Sequence, residues 1–180
     1  SGTWQKSVNG ICEAATGTNA TLANRGEVKI SLVHFSSAGQ CAGPIIWSNQ
    51  TYDTNRTIEM EQLCEDIQVG TPGGGTNMCQ GFCQIDVASL NPTHIFVSSD
   101  AMSACLEDTI LNETYGADSF RDRGTTICTA LVTDDGVEPA GGFQKMFMMD
   151  LANTEDAPRR TIPYPPGGWT GVTPYDGAGP

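Results

Sequence analysis

The sequence predicts an α/β fold: a doubly wound, mostly parallel sheet with helices on both faces, followed by an extended Pro/Gly-rich C-terminal tail. Three observations lead there. Short apolar, β-branched runs alternate with segments of helical periodicity; polar and glycine-rich turn signals separate them; and proline and glycine crowd the chain from residue 157 onward. A length of 180 residues suits one domain, placed at 1–156, with a tail at 157–180.

The elements follow in order. Residues 4–15 place Trp4, Val8, Ile11 and Ala15 on one face of a helix that Gly17 and Asn19 end. Glu27–Phe35 alternates Val28, Ile30 and Leu32 with Lys29, Ser31 and Val33, which reads as a strand. A polar stretch follows, containing the short apolar run Ile45–Trp47. Ile58–Val69 reads as a helix with Ile58, Met60, Leu63 and Ile67 directed inward. Pro72-Gly73-Gly74-Gly75 marks a turn, and Thr76 or Asn77 caps a helix running to about Leu90. Thr93–Ser99 is a second strand, Ser103–Asn112 a helix and Gly124–Thr133 a third strand, while Phe143–Leu151 fits either a strand or a helix. In a parallel α/β sheet ligands gather at the carboxyl ends of strands, so the residues after Phe35, Ser99 and Thr133 form the expected functional edge.

Composition narrows the class. A net charge of −12 repels phosphate backbones and argues against nucleic acid as a partner. Seven cysteines, Cys12, Cys41, Cys64, Cys79, Cys83, Cys105 and Cys128, point to an oxidising compartment and to disulfides, with at least one thiol left over. The sequons at Asn19, Asn49, Asn55 and Asn112 agree, as acceptors of N-linked glycans. No apolar run reaches the roughly 18–20 residues of a membrane span. The chain is therefore expected to be secreted or part of an ectodomain. An enzyme is not expected. His34 and His94 fall in predicted strands as packing residues, Gly73-Gly74-Gly75-Thr76 lacks the lysine of a phosphate-binding loop, and no nucleophile elbow occurs.

Four pieces carry a family resemblance: K-I-S-L-V-H-F-S-S at 29–37, G-G-G-T-N at 73–77, H-I-F-V-S-S-D at 94–100 and F-R-D-R-G-T-T-I-C-T-A-L-V at 120–132. In this order and spacing they resemble a von Willebrand factor A-type domain across about residues 1–150. That resemblance implies an adhesion site in which three loops hold a divalent cation (Mg²⁺, Mn²⁺ or Ca²⁺) that accepts a carboxylate from a protein partner. Carried onto this sequence, the ligands are Ser1 and Thr3 from the end of the first motif, Thr76 from the second loop and Asp100 from the third. Hydroxyl and carboxylate oxygens of this kind suit a hard cation. Two positions depart from the pattern: Cys79 and Ala101 stand where the family usually has glycine. A competing alignment uses Asp134 as the third-loop acid, but the interval from Thr76 to Asp100 better suits one helix plus one strand.

The resemblance also implies that the motif's leading Asp and a central first strand precede Ser1. A shortened chain, a cut chain or a strand donated by a neighbour would each account for that. Two functions follow as expectations: an extracellular cation-dependent binding module, or a structural subunit of a filament or matrix, assembled with other subunits by strand exchange and the tail.

Overall fold

The computed structural model describes residues 2–18, 20–36, 41, 45–70, 75–101, 103, 105–133 and 143–152. They fall in two compact units: one spans Ser1–His34 and Pro44–Gly73, the other Phe35–Gly43 and Gly74–Pro180. The expected boundary at 156 and the tail beyond it lie outside the described residues.

The first unit contains helix α1 (Gly2–Thr16), strands β1 (Glu27–Leu32) and β2 (Trp47–Asp53), and helix α2 (Thr57–Ile67). Val8 and Ala15 of α1 and Met60, Leu63 and Ile67 of α2 are buried with Tyr52, and Trp4, Ile11, Leu22, Ile30, Leu32 and Trp47 close over them. The spacing of Met60, Leu63 and Ile67 by three and four residues makes one apolar stripe. Ile58 lies off that stripe and is 66% exposed, contrary to its expected inward position. A disulfide between Cys12 and Cys64 ties α1 to α2. Tyr52 Oη donates to Asp66 Oδ2 and Trp47 Nε1 to the Asp66 carbonyl, so both aromatics of β2 lean on the end of α2. Burial and the Asp66 carboxylate push the Tyr52 phenol well above its ordinary pKa.

The second unit holds α3 (Met78–Val87), β3 (His94–Ser99), α4 (Leu106–Leu111), α5 (Ala117–Asp122), β4 (Thr126–Leu131) and α6 (Phe143–Ala152). Its core gathers Phe82, Ile95, Val97, Phe120, Ile127, Phe147 and Leu151, with Phe35 and Leu131 packed against it. Residues 143–152, which suited strand or helix, are a helix; Thr129 Oγ1 donates to the Met148 carbonyl at 2.9 Å and ties it to β4. Two glycines shape the turns around α5. A Cβ on Gly116 would lie 2.6 Å from the backbone nitrogen of Asn112, and Gly124 adopts φ +89 just before β4.

Among the described residues the expected doubly wound, mostly parallel sheet is not formed. β1 pairs antiparallel with β2, and β3 pairs parallel with β4, in two separate two-stranded sheets. The reason lies in W-S-N-Q-T-Y-D at 47–53, which reads as polar loop but pairs with the preceding strand. Val28 meets Tyr52 and Leu32 meets Trp47, so the local antiparallel partner takes one edge of β1. Among the described residues helices on both faces of the sheet are not seen either. On β3, Ile95 and Val97 are buried, whereas Phe96 between them is 59% exposed and sits in register with exposed Cys128.

Candidate functional site

The site is built where β3 ends and α3 begins, inside the second unit. β3 delivers Asp100 at its carboxyl end. Thr76 stands two residues ahead of α3, and Asn77 caps that helix by accepting from the Gln80 N–H at 3.3 Å. Thr76 Oγ1 donates to Asp100 Oδ1 at 3.3 Å, and both residues are half-buried. Two of the four expected ligands are thus brought together. Ser1 lies outside the described residues, as does Asp134. Thr3 falls in the first turn of α1, in the other unit.

Ala101, Ser103 and Cys105, which follow Asp100, each make a defined contact. Ala101 is buried with φ +58, the left-handed conformation that favours glycine, and its N–H donates to Ser99 Oγ at 3.1 Å. The glycine that the resemblance expects at this position therefore has a backbone reason. Fully buried Ser103 accepts from the Met78 N–H at 3.3 Å and from the Cys105 N–H at 3.4 Å. Cys105, the N-cap of α4, forms a disulfide with Cys79 in the first turn of α3. With Met78 N–H given to Ser103 and Gln80 N–H to Asn77, the α3 N-terminus spends donors on protein acceptors, which makes it a poor phosphate cradle.

Phe35, Ser36 and Cys41 also reach α3. Phe35 contacts Gly81, the Ser36 N–H donates to Gln80 Oε1 at 3.4 Å, and Cys41 is bonded to Cys83. Cys79 and Cys83, one helical turn apart, therefore hold two different loops. Cys128 is the free cysteine among the described residues. Sequence reasoning named all seven cysteines but missed the roles of Ser103 and Cys105. The signal available was a small hydroxyl and a thiol at the start of the helix expected over Ser103–Asn112, which begins only at Leu106 and leaves both in capping positions.

The remaining candidates lie apart from this edge. His34 is half-buried against Trp4 with ring centroids 4.7 Å apart, and burial lowers its pKa below the ordinary value. His94 is exposed, its Nδ1 within 3.1 Å of Thr93 Oγ1, so it is not the packing residue expected. Asn49 and Asn55 are exposed. Asn112 is half-buried, its Oδ1 accepting from the Thr114 and Tyr115 N–H groups at 2.9 and 3.2 Å. Asn19 lies outside the described residues.

Among the described residues no group of three or more His, Cys, Asp or Glu side chains is placed to hold a metal ion, so a cation here would depend on hydroxyls and water as much as on Asp100. No helix among them is long and apolar enough to cross a membrane. Three disulfides are compatible with an extracellular protein. No protein-family model matches the chain, and neither a curated protein nor a solved structure matches it.

Proposed function

We propose that this chain is an extracellular protein-binding module, not an enzyme, and that it engages a partner carboxylate through a divalent cation at the Thr76–Asp100 edge. The observation that carries the reading is the 3.3 Å between Thr76 Oγ1 and Asp100 Oδ1. Two oxygens at right angles on a cation, each about 2.1–2.4 Å from it, lie about 3.0–3.4 Å apart. The pair therefore suits Mg²⁺, Mn²⁺ or Ca²⁺ with little rearrangement. One neutral hydroxyl and one carboxylate leave much of the ion's charge unneutralised, and a cation held there would supply an open position for an acidic group.

With so few protein oxygens, binding is weak, with a Kd of about 0.1–1 mM as in other extracellular modules. Mn²⁺ titration followed by electron paramagnetic resonance tests this. One saturable site should appear and be lost in Asp100→Asn, with Thr76→Val weakening it. Equal Mn²⁺ binding in all three proteins, or none in the parent, overturns the reading.

The alternative, a structural subunit of an extracellular filament or matrix, is favoured by a different observation. Among the described residues β3 pairs with β4 alone, and Phe96 within β3 is exposed. An open strand edge is a template for strand exchange. Chelation separates the two readings, since it abolishes partner binding under the first and leaves assembly intact under the second.

A further inference from the structure

We infer that the Cys79–Cys105 disulfide positions the Thr76–Asp100 edge and that its reduction releases that edge, making the proposed cation site redox-sensitive. This rests on the functional reading above for its consequence, though not for its geometry. Residues 76–79 are joined to Asp100, Ser103 and Cys105 by the Thr76–Asp100 hydrogen bond, by the Met78 N–H to Ser103 Oγ bond, and by the disulfide. Both hydrogen bonds are 3.3 Å long, at the weak end of the range. The disulfide is the covalent link among these contacts, and the Cys79 N–H also lies 3.0 Å from the Cys105 Sγ that reduction would free. Within the held segment, Ala101 adopts a left-handed backbone that an unrestrained loop would leave. The second disulfide on α3, Cys41–Cys83, lies one turn further along and ties down a different segment.

Cys105 is half-buried and Cys79 nearly fully so, which leaves the Cys105 sulfur as the point of attack. The reductant is a small dithiol. Its thiolate attacks Cys105 Sγ, the S–S bond breaks, and Cys79 leaves as a thiolate that takes up a proton. The second reductant thiol then displaces Cys105, so two electrons pass to the protein and the reductant departs as its own disulfide.

The test uses the full chain in a Cys128→Ser background, to prevent thiol exchange with the free cysteine. Amide hydrogen exchange at Met78 and Ala101 is measured beside Mn²⁺ affinity. Replacing Cys79 and Cys105 together by serine should raise exchange at both amides about 10-fold or more. It should also weaken Mn²⁺ about 10–100-fold, the usual cost of losing support behind a ligand. Replacing Cys41 and Cys83 by serine should change neither. Unchanged exchange in the first pair, or the same change in both pairs, overturns the inference. If the parent fails to bind Mn²⁺, the functional reading falls while the exchange comparison still decides the positioning role. Should the double variant not fold, brief dithiol treatment and alkylation of the native parent gives the same comparison.

Discussion

At Ala101 three opposing terms of similar size meet. A non-glycine residue in the left-handed region costs about 1–2 kcal/mol. Its buried methyl returns about 0.8 kcal/mol, and alanine spares the folded chain about 0.5–1 kcal/mol of backbone entropy relative to glycine. Ala101→Gly should therefore change unfolding free energy by less than about 0.5 kcal/mol, whereas an ordinary buried alanine would lose more. Ala101→Val, which adds a β-branch to the same φ of +58, should cost more than about 2 kcal/mol. Urea denaturation decides it, and a large loss in the glycine variant would remove the strain. This residue also shows how far the site was legible. That Thr76 and Asp100 approach one another, and that Ala101 departs from the pattern, was implied by the resemblance, and the structure brings the first two within 3.3 Å. The partnership of Cys79 with Cys105 was not, because seven cysteines allow many pairings and only the folded path selects one. A second residue-scale prediction concerns His34, whose burial favours the neutral ring. The unfolded ring titrates near pH 6.5, so below that value the unfolded chain binds more protons than the native one. The His34 contribution to stability is then complete above about pH 6.5 and declines as pH falls toward the lowered native pKa. Thermal unfolding from pH 8 to 5 should show this decline, and His34→Phe should flatten it.

Among elements, helices were legible in proportion to how cleanly they separate an apolar stripe from a polar face. On α2 the stripe is Met60, Leu63 and Ile67, all buried, while Ile58 points to solvent despite its hydrophobicity. Leu63→Ala should accordingly cost about 2–5 kcal/mol, as for other fully buried leucines, and Ile58→Lys should stay within about 0.5 kcal/mol of the parent. Comparable losses from both would mean that α2 packs on another face. β2 shows why strands were harder. Four consecutive residues, Ser48–Thr51, are exposed, so the alternation that marks a half-buried strand is absent and only Trp47 and Tyr52 anchor it. Helix α5, six residues long, is too short to show a period, and its place is set by Gly116, Phe120 and the Gly124 turn instead.

For the whole molecule, strands at 27–32, 94–99 and 126–131 were readable, but the expected alternation with helices fails where β2 follows β1 and α5 follows α4, and strand pairing was not readable, since it depends on edges that carry no signature in a single strand. Each unit nonetheless has a core of its own, and each disulfide closes within one unit. Cys12 and Cys64 are 52 residues apart, and cross-linking a loop of that length restricts the unfolded chain by about 3–4 kcal/mol. In a small unit that much stability corresponds to a melting shift of roughly 15 °C or more. Two calorimetric transitions are therefore expected, and Cys12→Ser with Cys64→Ser should lower one of them by that amount while the other stays in place. The unaffected transition should instead respond to loss of Phe120 or Phe147, which are fully buried in the second core. A single transition that moves as a whole in the cysteine variant would show that the two cores melt as one cooperative body.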